Sequence, residues 1–355
     1  MKAVVKYGLG PRETEVRDVP IPEIGDDDVL LEVKAAGVCG SDIGFDDGMH
    51  PNLLRPPVIL GHEFAGVVAK TGKNVTAWKV GDRVVSDNTG YVCGHCYACN
   101  TGNYLACPER LGLGYGMDGG FTNFVKIHGN TLRIFPSSLM RIPDSMSFEA
   151  AAIMDPACNG YRAVVQEGRV MPGDFVAVFG IGALGLFSIQ AARAAGAAKI
   201  FAVALSSDGD ARFEIAKKCG ATDLIRSDIE DCVGIIRNAT GGEGVSCAVD
   251  AAGVNVVMGT ILKVVRTGAV VPKIGYDARP YGQSLDPFVD GAIQLKGHYG
   301  YDWVCWRNVM NLCEAGKWDQ ECVITHSMKI SEFRKAFDMV RNLEATKVIL
   351  YPEDL

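Results

Sequence analysis

The chain has no uninterrupted apolar stretch of about 18 residues, which excludes a helix that spans a bilayer. Its opening, Met1-Lys-Ala-Val-Val-Lys-Tyr-Gly-Leu-Gly10, has an early lysine but lacks the apolar core of a signal peptide, so a cytoplasmic protein is expected. Basic charge is short as well. Against 42 Asp and Glu stand 35 Lys and Arg, a formal net charge of −7, and no basic run could neutralise successive phosphates. Nucleic acid is therefore not an expected partner. No internal repeat, low-complexity tract or interdomain linker is visible. Cysteine is too dilute for a disulfide framework, 12 in 355 residues with no signal peptide, and is expected as reduced thiols.

What is present suffices for two domains with separate cores, since 48% of the residues are hydrophobic. Residues 1–150 are rich in Gly, Pro, Val and Asp, with short alternating runs such as Val29–Val33 and Gly66–Ala69 between turn signals like Val80-Gly-Asp-Arg83. This texture predicts an irregular, mostly β domain. From about residue 160, apolar strands (Phe175–Phe179, Ile200–Ala204, Ala248–Ala251, Ala269–Ile274) alternate with Ala-rich helical patterns such as Leu184–Ala195, which predicts βαβ units and a parallel sheet. After Lys296-Gly297 the pattern changes to helical stretches at Trp306–Ala315 and Ile330–Leu343 and a last strand at Thr346–Tyr351, a tail expected to rejoin the first domain.

Gly180-Ile181-Gly182-Ala183-Leu184-Gly185 follows the strand Phe175–Phe179 and opens a helix. A lone GxGxxG says little, but the order strand, glycine turn, helix is what a dinucleotide pyrophosphate requires. About 20 residues further on, an acid normally grips the adenosine ribose of NAD. Here Ala204 and Ser206-Ser207 occupy the strand end, with Asp208 and Asp210 slightly late and Arg212 nearby. Small and hydroxyl residues beside Arg212 tilt the reading weakly toward NADP, while Asp208 or Asp210 in a lengthened turn would serve NAD.

Cys93-Gly-His-Cys96-Tyr-Ala-Cys99 and Cys107 give C-x2-C-x2-C-x7-C. Such spacing brings four thiolates around one tetrahedral Zn2+ in a closed, structural site. A bacterial iron–sulfur run would continue with x3-C-P, and here the interval is seven. His95 lies inside this loop, but four cysteines already saturate zinc, so it is read as a surface residue. A second set of metal-binding residue types, Cys39 and His62, stands 23 residues apart in Gly37-Val-Cys39-Gly-Ser41-Asp42 and Gly61-His62-Glu63, with Asp155-Pro156 just before the dinucleotide unit. A catalytic zinc needs such mixed ligands and one open position.

These motifs in this order, with Val80–Arg83 and the strand end Val249-Asp-Ala-Ala-Gly253, resemble the zinc-containing medium-chain dehydrogenase/reductase superfamily, and within it the polyol and threonine dehydrogenase branch, along essentially all 355 residues. The resemblance implies a GroES-like catalytic domain (1–158 and 298–355) and a doubly wound Rossmann domain (159–297). It implies Cys39 and His62 as catalytic zinc ligands, Glu63 as an exchangeable or neighbouring carboxylate, and Asp155 in the remaining position, bound directly or through a water. Ser41 matches the hydroxyl that takes the substrate's proton while hydride passes to nicotinamide. Two zinc ions per chain, an NAD(P) cofactor, a hydroxylated small-molecule substrate and a homo-oligomer, dimer or tetramer, follow as expectations.

Two departures from the family stand out. Gly44 occupies the place of a relay histidine, which leaves the proton path to water, the cofactor ribose or a group such as His50. The segment Lys296-Gly-His-Tyr-Gly-Tyr301 lacks an arginine usual in polyol dehydrogenases, so substrate contacts are expected around His298, Tyr299 and Tyr301. A carboxylate at position 155, where alcohol dehydrogenases have Cys, points away from simple primary alcohols. The rival readings are a dehydrogenase for simple alcohols or aldehydes, a zinc-free quinone reductase, which would lack both metal sets, and a non-catalytic protein that kept the fold.

Overall fold

A computed structural model describes residues 1–354. The chain divides into two compact units, Met1–Asp155 with Ile324–Leu355, and Pro156–Val323. The first is the GroES-like, mostly β unit. Its main sheet runs in the order Leu139–Arg141, Arg83–Ser86, Glu63–Thr71, Val29–Gly37, Lys347–Tyr351, Ile324–Lys329, with Phe124–Ile127 also paired to Val29–Gly37. Inward residues of these strands, among them Leu31, Val33, Phe64 and Val68, pack with Phe121 and with Phe337 from the helix Phe333–Arg341. Burying such side chains is worth roughly 1.5–3 kcal/mol each and holds the unit together.

One register in this sheet builds the site. Gly37 pairs antiparallel with Glu63, so the chain leaving one strand through Val38-Cys39 runs beside the chain entering the other through Gly61-His62. Gly61 has φ of +91°, and a Cβ there would meet the Phe121 ring at 2.5 Å, so only glycine allows this entry. The last strand also joins here, with Ile349 opposite Gly37.

The second unit is a Rossmann-type parallel sheet. Its strands are β1 (Phe175–Phe179), β2 (Lys199–Ala204), β3 (Asp223–Arg226), β4 (Val245–Asp250), β5 (Val265–Lys273) and β6 (Gln294–Gly297). Their order is β3-β2-β1-β4-β5-β6, all parallel, the doubly wound arrangement whose direction of winding reverses between β1 and β4. Residues of β1, β2 and β4 are almost wholly buried, as expected for strands covered on both faces. The short, partly exposed β3 carries too weak an apolar pattern to be read from the sequence.

The boundary at the tail differs from the sequence expectation. Residues 298–323 belong with the dinucleotide unit, and only Ile324 onward rejoins the first. Side-chain anchoring explains this. Gln166 donates to Asp302, Asn308 to the Tyr161 hydroxyl at 3.0 Å, and Gln190 to the Asp319 carbonyl at 2.8 Å, while Trp318 stacks on Phe187. Among the described residues no helix is long and apolar enough to cross a membrane.

Candidate metal and cofactor sites

The four lobe cysteines converge. Cys93 Sγ lies 3.9 Å from Cys99 Sγ and 3.7 Å from Cys107 Sγ, and all four sulfurs fall within 4.8 Å of one another. A tetrahedral zinc with arms of about 2.3 Å has sulfur–sulfur edges of about 3.8 Å, so the thiols fit that ion. Backbone N–H groups support the anionic form: Cys93 donates to Cys107 Sγ and Cys99 to Cys96 Sγ, both at 3.5 Å. The Cys99 N–H is the main cause that pulls the Cys96 thiol down to about 7. His95 is outside the cluster on the surface, its side chain 77% exposed.

Cys39, His62 and Glu63 also converge, with one donor atom each inside 4.8 Å. Asp42 organises two of them. Its Oδ2 accepts the Cys39 N–H at 2.9 Å across the first turn of the helix Gly40–Asp46, and its Oδ1 lies 3.3 Å from His62 Nδ1. A carboxylate on one imidazole nitrogen leaves the other for a metal, the usual orientation of a ligating histidine. That other nitrogen, Nε2, is 3.4 Å from Ser41 Oγ. Burial favours neutral His62, but the charges of Asp42 and Cys39 outweigh it and hold the imidazole well above its ordinary range. The donor set therefore suits a divalent cation, whose charge replaces that proton.

Glu63 is buried against Lys347, whose Nζ is 2.8 Å from Oε1 and 2.5 Å from Oε2 and also donates to the Val38 carbonyl at 3.0 Å. Burial pushes the Glu63 carboxyl up against the pull of this ammonium. Asp155 does not enter the Cys39–His62–Glu63 group. It is half-buried at the start of the helix Met154–Tyr161 and accepts a hydrogen bond from Asn88 Nδ2 at 2.9 Å. Sequence reasoning gave no role to Asp42, Lys347 or Asn88. The i, i+3 spacing of Cys39 and Asp42 is a capping pattern that could have revealed the first. Lys347 lies 284 residues from Glu63 and leaves no such trace.

In the second unit, Gly180 has φ of +94°, and a Cβ at Gly185 would strike the Gly180 carbonyl at 1.9 Å, so the helix Ala183–Ala194 packs tightly on the turn. A Cβ at Gly182 would meet nothing within 4 Å, which is open space at a helix N-terminus. Ile181 is buried under the turn. A pyrophosphate fits this geometry.

At the end of β2, Ser206 and Ser207 are exposed in a single turn, and Asp228 accepts from the Ser206 N–H at 2.7 Å and from its hydroxyl. Arg212 is 7% exposed and sits 3.3 Å from Asp208, so its guanidinium faces a carboxylate inside the unit. The segment after β6 also departs from expectation. His298 is buried with both ring nitrogens engaged, Nδ1 with Glu167 and Nε2 with Asn159, each at 2.8 Å, and Tyr301 is buried edge-on to Trp306. Only Tyr299 is exposed.

A doubly wound dinucleotide unit in one chain with a β unit carrying a four-thiol donor set and a mixed thiol, imidazole and carboxylate set defines a zinc-type, nicotinamide-linked dehydrogenase. Two family models match, the alcohol dehydrogenase GroES-like domain over residues 25–137 and the zinc-binding dehydrogenase over 183–315. The chain belongs to this zinc-binding alcohol dehydrogenase family and is an enzyme, an oxidoreductase.

Similar proteins include an uncharacterized zinc-type alcohol dehydrogenase-like protein of Escherichia coli strain K12, 37% identical over 99% of this chain and 98% of that one. The L-threonine 3-dehydrogenase of Bacillus velezensis is 34% identical, covering 99% of both chains. The sorbitol dehydrogenase of Bacillus subtilis is 32% identical over 99% of this chain and 97% of its own. Among solved structures, the alcohol dehydrogenase of Thermus sp. ATN1 superposes with a TM-score of 0.88 at 28% identity, covering 99% of this chain and 100% of that one. A zinc-binding dehydrogenase of Sinorhizobium meliloti bound to NADP gives 0.87 at 26%, covering 99% of both.

Proposed function

We propose that this enzyme interconverts a secondary alcohol bearing a neighbouring polar group, such as a polyol, diol, cyclitol or amino alcohol, and its ketone. The observation that carries the reading is the mixed thiolate, imidazole and carboxylate donor set with the Ser41 hydroxyl beside His62. Cys39, His62 and Asp155 would hold the catalytic zinc, with Asp155 reaching it directly or through a water, and Glu63 would be the exchangeable carboxylate. Cys93, Cys96, Cys99 and Cys107 would hold the structural one. Zinc would supply Lewis acidity at the alcohol oxygen, and the nicotinamide would accept the hydride. Ser41 takes the hydroxyl proton. A carboxylate at the centre and Tyr115 near His62 offer polar partners that a plain alkyl chain leaves unpaired, at roughly 1–3 kcal/mol for each buried group. Polyols, diols or hydroxylated rings are expected to exceed ethanol and 2-propanol in kcat/KM across a broad panel. A simple alcohol as the best substrate would refute the reading.

Freshly purified protein is expected to contain two zinc ions per chain, with chelators removing the catalytic one first because its coordination is open. One zinc or fewer in active protein ends the two-site reading. For the cofactor, Arg212 is held against Asp208 rather than left open at the end of β2, which takes support from the NADP reading. Asp208 and Asp228 are the acids at that strand end that could serve the ribose of NAD. NAD is accordingly expected to give the higher kcat/KM, and a comparison of the two cofactors at 340 nm decides the point. The exposed edge strand β6, with Leu295 48% exposed, supports pairing with a second copy as a homodimer or within a tetramer. The cytoplasm is the proposed location.

A further inference from the structure

Arg110 stands three residues beyond Cys107 and is half-buried. Its Nε donates to Thr89 Oγ1 at 3.0 Å, its Nη1 to the Tyr115 hydroxyl at 2.6 Å, and its Nη2 to the Asn88 carbonyl at 3.2 Å and to Asn88 Oδ1. A guanidinium only donates, so the Asn88 atom facing it has to be the amide oxygen. That choice turns Nδ2 the other way, toward Asp155, to which it donates at 2.9 Å. The Tyr115 ring held by the same guanidinium lies 5.2 Å from Phe45 and 6.4 Å edge-on from the His62 imidazole.

We infer that Asn88 is the positioning residue for Asp155, and that Arg110 sets the Asn88 amide while fixing Tyr115 beside His62. Aspartate is one methylene shorter than glutamate, so its carboxylate depends more on whichever neighbour fixes its rotation. The planar fork of Arg110 suits two partners at fixed angles, which a lysine's point charge does not. Both residues act through another side chain, Asn88 through Asp155 and Arg110 through Asn88 and Tyr115. The inference rests on Asp155 belonging to the catalytic metal centre, as proposed above.

The test uses full-length zinc-loaded protein, with the affinity of the chelator-labile zinc measured by competition with a chromogenic chelator. Asn88→Ala and Arg110→Ala are expected to weaken that zinc by about 10–100-fold, the scale for losing a partner that orients a ligand, while the four-thiolate zinc is retained as a control for folding. Arg110→Lys should fail to restore it. Adding Asn88→Ala to Asp155→Asn should cause no further loss, whereas a merely structural role would give additive losses. If Asp155→Asn weakens the labile zinc but Asn88→Ala leaves it unchanged, or if the two effects add, the inference is overturned and the metal centre stands. If Asp155→Asn itself changes nothing, the proposed centre is wrong and the inference falls with it. Should Arg110→Ala lose the four-thiolate zinc, Asn88→Ala and the double variant decide the question alone.

Discussion

Replacing Ser41 by alanine is expected to lower kcat for alcohol oxidation on the order of 10²-fold, the usual scale for losing positioned proton transfer. Zinc content and cofactor affinity should not change, because Ser41 lies in the first turn of Gly40–Asp46, where Cys39 and Asp42 provide the capping contacts. Its hydroxyl is 3.4 Å from His62 Nε2, the nitrogen left for metal, so it stands where a bound alcohol would present its proton. Gly44 supplies no imidazole to carry that proton onward. His50 is the rival. It is exposed, with φ of +56°, and its ring meets Phe45 edge-on at 6.4 Å. The decisive comparison is Ser41→Ala against His50→Ala from about pH 6 to about pH 10. Loss of the pH-dependent step in the His50 variant, with Ser41→Ala nearly silent, would show the proton path to be wrong.

Replacing Lys347 by methionine is expected to destabilise the first unit by about 3–5 kcal/mol, the cost of removing one partner of a buried ion pair and leaving the other charge uncompensated. Both side chains are almost inaccessible, 2% for Lys347 and 0% for Glu63, so water cannot replace the lost ammonium. The Val38 carbonyl would lose its donor as well. Urea unfolding at equal zinc load measures the effect. Glu63→Gln added to Lys347→Met should recover part of it, because the stranded charge is then gone. Equal midpoints for Lys347→Met and the parent would show that the pair contributes nothing.

Much of this protein follows from short-range pattern. The strand Phe175–Phe179, the helix beginning at Ala183 and the four-cysteine lobe were legible because each is specified by neighbours in sequence: apolar residues at strand spacing, glycines at the turn, thiols within reach of one ion. Cys39 and His62 could be named from their motifs and the family resemblance. Their convergence depends on the Gly37–Glu63 register, which is a tertiary fact.

The rest was decided by contacts between distant residues. Arg212 suited a phosphate by its position in the sequence, but the fold buries it against Asp208. His298 and Tyr301 followed the last strand where substrate contacts were expected, yet Glu167 and Asn159 consume both nitrogens of one and Trp306 covers the other. Residues 298–323 were expected to rejoin the first domain with the rest of the tail, because helical spacing does not say which unit a helix will meet, but contacts with Phe187, Gln190 and Tyr161 hold them in the second. Local sequence thus determined the elements and the kinds of ligand, because those depend on spacing along one strand, turn or helix. Which charges pair inside, and so which remain for metal, cofactor and substrate, was decided only by the tertiary structure, where burial makes each pairing exclusive.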